Sequence, residues 1–199
     1  MTNKFLLLIL LLVFSPSAFS QNGSAEKRPA AYLLSSGDTR PALSRPRTAA
    51  KTAGENAGNS ARHCQRDFRL ERQVFDLINK QRIDLGLIVL EWNDDVAEMA
   101  RRHSESMAQF GFFSHTDLNG LMVNDRADAL GIKKWRAIGE NIAYNRGFEN
   151  PAESAVEKWM LSPAHRENLL NNRWQESGIG IAVTDDGTYY FTEVFLLKK

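Results

Sequence analysis

The stretch GIGIAVTDDGTYYFTEVFL, residues 178–196, decides the fold of this 199-residue chain. Two runs rich in β-branched and aromatic residues flank Asp185-Asp186-Gly187. This arrangement predicts two antiparallel strands joined by a tight turn. Because the segments before this hairpin carry helical rather than strand patterns, the sequence predicts an α+β domain in which helices pack around a small antiparallel sheet.

The helical patterns are marked by apolar spacing and by residues that suit helix ends. Asn93, followed by two aspartates, is a typical N-cap, and Gly111 is a typical C-terminal glycine. Asn150-Pro151 opens a further helix, because proline fits the first helical position. We predict helices over 66–84, 93–110 and 121–130, one beginning after Asn150, and one beginning after Ser162.

The amino end differs in composition from the rest of the chain. Residues 1–20 place Lys4 before an apolar run and end in small residues, the layout of a signal peptide. Residues 21–65 are poor in large apolar side chains and rich in Ala, Ser, Thr, Gly and Arg, and we predict a disordered basic linker there. The chain is therefore expected to be exported, to the periplasm or the medium, with a folded domain over 66–199.

Charge and cysteine content limit the function of that domain. From residue 64 onward the sequence holds 17 Lys or Arg and 21 Asp or Glu, which gives no basic face suited to nucleic acid. After signal cleavage no other segment is long and apolar enough to span a membrane. Cys64 has no second cysteine to pair with, so it either packs against the first helix or forms an intermolecular bridge.

The stretch SPAHRENLL, residues 162–170, places an ionisable ring at a helix start. Ser162 suits the N-cap and Pro163 the first helical position, so His165 falls at the third position. The free backbone N–H groups there disfavour a positive charge and favour the neutral imidazole, which is a metal ligand and a hydrogen-bond acceptor.

Other polar residues that are candidates for a site are His115, in the loop GFFSHTDLNG, and Glu140, in the run IGENIAYN. His103 lies on the inner stripe of the second predicted helix and is expected to be a core or rim histidine. The sequence has no short-spaced metal motif, no phosphate-binding glycine loop and no GxSxG nucleophile elbow. The pattern of residues alone therefore assigns no catalytic role.

Four motifs, in this order and spacing, resemble the CAP superfamily of cysteine-rich secretory proteins, venom antigens and plant pathogenesis-related proteins, in its bacterial secreted branch. They are FFSHTD at 112–117, GENIAYN at 139–145, AVEKWMLSPAHRENLLN at 155–171, and GIGIAV followed by YYFTEVF. The resemblance implies a three-layer α-β-α sandwich with a small antiparallel sheet. It also implies a central cleft lined by two histidines and acidic residues, which binds zinc in some members.

Carried over by position, the resemblance makes His115 and His165 the two cleft histidines and Glu140 the glutamate beside them. In animal members of the family a second cleft glutamate lies three residues after the helix tryptophan. In this chain the residue three positions after Trp159 is Ser162. We expect His115 and His165 to be the metal ligands if Zn²⁺ binds, with Glu140 and Ser162 in supporting positions. The alternative is a polar network that orders the GEN loop without a metal.

Three functions remain open from the sequence. The first is a secreted, non-enzymatic module that binds a protein, lipid or envelope ligand at or beside the cleft. In one version of this hypothesis the cleft also binds a divalent metal ion. The second is a metal-dependent hydrolase with Glu140 as general base, and the missing second glutamate weakens it. The third is a lipid- or sterol-binding protein with an apolar groove between helices.

Overall fold

The computed structural model describes residues 30–34 and 61–199, so the predicted signal peptide lies outside it. The strands are β1 (Ala30–Leu34), β2 (Cys64–Arg66), β3 (Glu91–Trp92), β4 (Trp135–Arg146), β5 (Glu176–Thr184) and β6 (Thr188–Lys198). The helices are α1 (Phe68–Asp84), α2 (Asp94–Phe110), α3 (Val123–Ala129), α4 (Pro151–Leu161) and α5 (Pro163–Leu170).

The sheet is built on the β5–β6 hairpin that the sequence predicted. The strand order is β1-β4-β6-β5-β2, and every pair along this path is antiparallel. The two-residue strand β3 pairs with β5 in parallel. The hairpin turns at Gly187, whose positive φ of 78° is readily adopted only by glycine.

The helices form two layers on opposite faces of this sheet. One layer consists of α1, α4 and α5, and its core includes Val74, Ile78, Trp159, Leu169, Phe191 and Phe195. The other layer consists of α2 and α3, and its core includes Val96, Met99, Met107, Ala127, Val194 and Leu196. The predicted three-layer α-β-α sandwich is therefore confirmed.

Helix α2 lies unusually close to the sheet. A Cβ atom at Gly180 would lie 2.0 Å from the backbone nitrogen of Arg101, so no larger residue fits without moving the helix. The hydroxyl of Ser104 donates to the carbonyl of Gly180 at 2.8 Å. The glycines of the GIGIAV run therefore set the spacing between α2 and the sheet.

Some of the helix ends agree with the ends predicted from the sequence, and others differ. Asn93 caps α2 by accepting from the backbone N–H of Val96, and Gly111 ends α2 in the left-handed conformation. The third helix is shorter than the predicted 121–130, because the backbone N–H of Met122 donates to the carboxylate of Asp125 and starts the helix at Val123. Asn150 takes the N-cap position of α4 without a side-chain hydrogen bond.

Two strands include residues of the segment 21–65, which the sequence predicts to be a disordered linker. Residues 30–34 form β1, in register with 142–146 of β4, and residues 64 and 65 belong to β2. The sequence AAYLL is an apolar island in a polar segment, and pairing with the edge of β4 supplies the backbone hydrogen bonds that it lacks alone. Residues 21–29 and 35–60 lie outside the described residues.

Cys64 sits on β2 and is partly buried against the core on the α2 side. Burial raises the pKa of its thiol above the ordinary value. Within the described ranges, none of the helices is both long enough and apolar enough to cross a bilayer.

Candidate functional site

Glu140 is the centre of a buried polar network on the α2 side of the sheet. It lies on β4 and is 2% exposed. One carboxylate oxygen, Oε1, lies 2.7 Å from Nδ1 of His115. The other, Oε2, pairs with the guanidinium of Arg126. Both oxygens of the carboxylate are therefore engaged, one by a histidine and one by an arginine.

The loop that carries His115 is fixed by the same arginine. Nη1 of Arg126 donates to the carbonyl of His115 at 2.8 Å and to the carbonyl of Leu121 at 3.0 Å. The carboxylate of Asp117 accepts from the backbone N–H groups of Asn119 and Leu121 at 2.8 and 2.9 Å. The ring of His115 is thus held against Glu140 by a loop whose backbone groups are themselves bonded.

Sequence reasoning missed Arg126. It lies on the short helix α3, in a segment whose pattern carries no sign of a site, and it comes within reach of Glu140 only through the tertiary fold. Its side chain is 7% exposed. A buried arginine is seldom found without an anionic partner, and here the partner is the glutamate of the GEN motif.

His103 extends the network toward α2. Its Nε2 lies 2.9 Å from the carbonyl of Ser114, and because a carbonyl only accepts, this ring nitrogen is the donor. The ring is 2% exposed, so the predicted core position is confirmed. Burial lowers the pKa of His103 to about 4, and the positive charge of Arg126 acts in the same direction.

The protonation state of Glu140 follows from its partners. Burial favours the neutral acid, but the hydrogen bond with His115 and the positive charge of Arg126 outweigh burial and hold the pKa of Glu140 below its ordinary value. The carboxylate is therefore ionised, and Nδ1 of His115 donates to it.

His165 lies on the other side of the sheet. Ser162 and Pro163 stand at the N-cap and first positions of α5, as predicted. The hydroxyl of Ser162 does not cap the helix, because it is hydrogen-bonded to Nδ1 of His165 at 2.7 Å. The prediction that the side chain of Ser162 caps α5 is therefore wrong: the Ser162 hydroxyl bonds the His165 ring and not a backbone N–H group of the helix.

The division between the two histidines follows from the geometry of β4. Glu140 and Asn141 are consecutive strand residues, so their side chains leave opposite faces. Glu140 contacts His115, whereas the amide of Asn141 donates to the carbonyl of His165 at 3.1 Å. The backbone of His165 is therefore held on the face of β4 opposite to the side chain of Glu140.

Asn168 links the two faces through the backbone. Its amide nitrogen lies 2.9 Å from the side-chain oxygen of Asn141 and 3.3 Å from the carbonyl of Glu140. Asn141 therefore has a structural role, and the GEN segment is bonded to α5 on one side and to the His115 loop on the other.

The residues do not fit the zinc site that the resemblance implied. Within residues 30–34 and 61–199, no group of three or more His, Cys, Asp or Glu side chains is arranged to hold a metal ion. Arg126 places a fixed positive charge on Glu140, where a cation would otherwise be attracted. Nε2 of His115 is buried and has no hydrogen-bond partner in the described part of the chain, so this nitrogen is available as a ligand atom.

These features define a class of protein: a three-layer α-β-α domain in which a His–Glu–Arg network is buried between the sheet and one helical layer. Comparison with known proteins gives the family. Residues 75–195 match the CAP family, described as the cysteine-rich secretory protein family. The chain belongs to this family.

The chain resembles two proteins of Bacillus subtilis (strain 168). It is 40% identical over 128 residues to YlbC, named an uncharacterized membrane protein, covering 64% of this chain and 34% of YlbC. It is 33% identical over 110 residues to YkwD, named an uncharacterized protein, covering 55% of this chain and 41% of YkwD. The chain thus spans less than half the length of these relatives.

Two solved structures share the fold. An extracellular protein with an SCP domain from Bacillus anthracis is 30% identical, with a TM-score of 0.57, and the match covers 65% of this chain and 41% of that one. An outer surface protein from Borrelia burgdorferi is 23% identical, with a TM-score of 0.62, and the match covers 69% of this chain and 99% of that one. The second likeness shows the fold alone.

Proposed function

We propose that this chain is an exported, non-enzymatic CAP module that binds a ligand beside the cleft, and that its His–Glu–Arg network is structural. The observation that carries the proposal is the full engagement of Glu140 by His115 and Arg126. A general base needs a free lone pair within reach of a substrate proton, and this carboxylate is buried and paired on both oxygens. The network instead joins β4, the His115 loop and α3 into one unit.

Export is supported by the sequence of residues 1–20 and by one relative. The Bacillus anthracis protein, which is 30% identical to this chain, is titled extracellular. A domain with no disulfide to stabilise it outside the cell depends on internal packing and polar networks for rigidity. The network around Glu140 supplies this rigidity under the proposal.

Metal content separates this proposal from the hydrolase hypothesis. The exported protein is purified without chelators, analysed for zinc and titrated with zinc by calorimetry, beside a His115→Ala, His165→Ala double variant and a His63→Ala control. We expect no stoichiometric zinc in any of them. One zinc per chain in the wild type and the control, lost in the double variant, would contradict the proposal.

A double variant that fails to fold would lose zinc whether or not the two histidines are its ligands. Circular dichroism therefore accompanies it, and His115→Gln, which keeps a side-chain donor near Glu140, serves as a second variant. Stoichiometric zinc in the wild type that is lost in a folded His115→Gln protein would also contradict the proposal.

A groove between α1 and α4 favours one class of ligand, an apolar small molecule. It has a volume of about 320 Å³. Its apolar wall is formed by Leu77, Val156, Met160 and Leu161, and Gln81, Glu153 and Glu157 complete the lining. This volume lies at the lower end of the range for small-molecule pockets. Displacement of an uncharged fluorescent probe by a long-chain alcohol tests the groove. We expect displacement in the wild type and none in Leu77→Trp, at a partly exposed wall residue, whereas equal behaviour would reject the groove.

A further inference from the structure

The loop between α1 and β3, residues 85–90, is apolar and largely exposed, and side-chain hydrogen bonds hold its backbone. Buried Arg82 donates from Nε to the carbonyl of Ile88 at 2.9 Å and from Nη1 to the carbonyl of Leu169 at 2.7 Å. The same guanidinium reaches the carbonyl of Asn171 at 3.1 Å. One arginine therefore fixes this loop against the end of α5.

A second clamp holds the far end of the loop. The side chain of Asn79 donates to the carbonyl of Leu90 at 3.1 Å and accepts from its backbone N–H at 2.8 Å. Leu90 is buried, whereas Ile88, two residues earlier, is 79% exposed. The backbone is thus held in place while the aliphatic side chain of Ile88 points into water.

The loop borders a groove formed by α4 and α5. The groove has a volume of about 740 Å³, and its apolar lining consists of Leu87, Met160, Leu161, Pro163 and Leu170. Leu161 is 69% exposed at the end of α4. We call this surface, made of Ile88 and the five lining residues, the Leu161 face.

The rim of the Leu161 face carries charges of both signs. Arg166 and Glu167 are adjacent on α5, line the same groove and are exposed. Neither has an ion-pair partner within the part of the chain that the structure describes. An apolar centre with a rim of mixed charge is typical of a protein–protein interface, whereas docking to an anionic bilayer favours a rim of cations.

We propose that the Leu161 face docks a second copy of this chain about a two-fold axis. The face carries both projecting aliphatic side chains, Ile88 and Leu161, and an apolar groove able to receive them, so it is complementary to itself. In the proposed dimer Arg166 of one copy pairs with Glu167 of the other, twice per dimer, because both residues lie on the rim of the same face. This association is independent of the network around Glu140.

Sedimentation velocity of the exported chain tests the proposal between about 1 µM and about 1 mM. The wild type forms a dimer within this range. Leu161→Asp weakens the dimer about tenfold or more, because a carboxylate replaces a central apolar contact. Leu118→Asp, at a leucine that is 57% exposed in the loop carrying His115, leaves the dimer unchanged.

Exchange of charges tests the two-fold arrangement itself. Arg166→Glu and Glu167→Arg, made singly, each weaken the dimer, since each places like charges opposite one another. The double variant restores the dimer, because the pairs re-form with reversed signs. Failure of the double variant to recover would overturn the proposed pairing.

A wild type that stays monomeric over the whole range would overturn the proposal. A monomeric wild type that binds phosphatidylcholine vesicles, with binding lost in Leu161→Asp, would also overturn the proposal and would show that the Leu161 face binds a lipid surface. Because Leu161→Asp changes an exposed residue, its thermal unfolding should match that of the wild type, and Ile88→Asp provides a second disruption at an independent position. A dimer that persists in both variants would also overturn the proposal.

Discussion

Two buried glutamates lie on neighbouring strands of the same sheet and have opposite electrostatic surroundings. Glu140 on β4 pairs with His115 and Arg126, and these partners hold its pKa below the ordinary value despite burial. Glu193 on β6 faces the other helical layer, and burial raises its pKa well above the ordinary value. Both side chains are at most 2% exposed, so the difference comes from their partners.

The partners of Glu193 are few. The hydroxyl of Ser177 lies 3.2 Å from its Oε1, and among the described residues Oε2 has no hydrogen-bond partner. The positive charge of Arg82 acts on Glu193, but this guanidinium is bonded to the loop of residues 85–90 and to α5. Burial alone therefore does not decide whether a core glutamate is ionised. The presence of an arginine that forms an ion pair with its carboxylate decides it.

The largest expected effect tests the role of Arg126. Arg126→Met leaves an ionised carboxylate buried beside His115 and should lower the free energy of unfolding in urea by about 3–5 kcal/mol. Arg146→Met is the matched control, because Arg146 pairs with Asp186 at 2.9 Å on the surface and both side chains are more than half exposed. The control should change stability by at most about 1 kcal/mol. If both variants lost the same free energy of unfolding, the buried Arg126–Glu140 pair would contribute no more to stability than a surface ion pair.

The next effect concerns pH and His103. Its folded pKa of about 4 lies below the unfolded value near 6.5, so the unfolded state binds the extra proton and stability falls as pH drops from about 6.5 to 4. This one group contributes up to about 3 kcal/mol over that window. Urea unfolding of His103→Gln should show a shallower pH dependence than the wild type, with His63→Gln as a control for loss of one imidazole. An unchanged slope in His103→Gln would contradict the buried neutral ring.

The smallest expected effect concerns Glu193, and it has the opposite sign. Its raised pKa means that the folded protein holds a proton that the unfolded chain releases, so stability falls as pH rises above the unfolded value. Glu193→Gln keeps the shape and removes this dependence, and should raise the free energy of unfolding at pH 8 by about 1 kcal/mol. A lower stability at pH 8 would mean that Glu193 is ionised and paired with Arg82.

Much of the fold was predictable because its signals are local. The hairpin around Gly187, the cap at Asn93 and the C-terminal glycine at Gly111 each depend on a few neighbouring residues. The strand over 30–34 was not predictable in this way, since its stability comes from pairing with β4, more than a hundred residues away. The shortened α3 depends on a single side-chain bond from Asp125.

The site was predictable only in part. The resemblance to the CAP family named His115 and Glu140, and the structure joins them. The segment 139–145 belongs to a strand and not to the loop that the sequence suggested, and strand alternation places the side chains of Glu140 and Asn141 on opposite faces. Arg126 had no signal in the sequence, because its pairing with Glu140 arises from the tertiary packing of α3 against β4.

The central claim is that partners, and not burial, set the charge of Glu140. Carboxyl ¹³C NMR of glutamate-labelled protein, titrated from acid to neutral pH, measures it directly. We predict that the Glu140 signal titrates below the ordinary range of a glutamate and the Glu193 signal above it, and that Arg126→Met moves only the first upward. A Glu140 signal that titrates above the ordinary range in the wild type would contradict the claim.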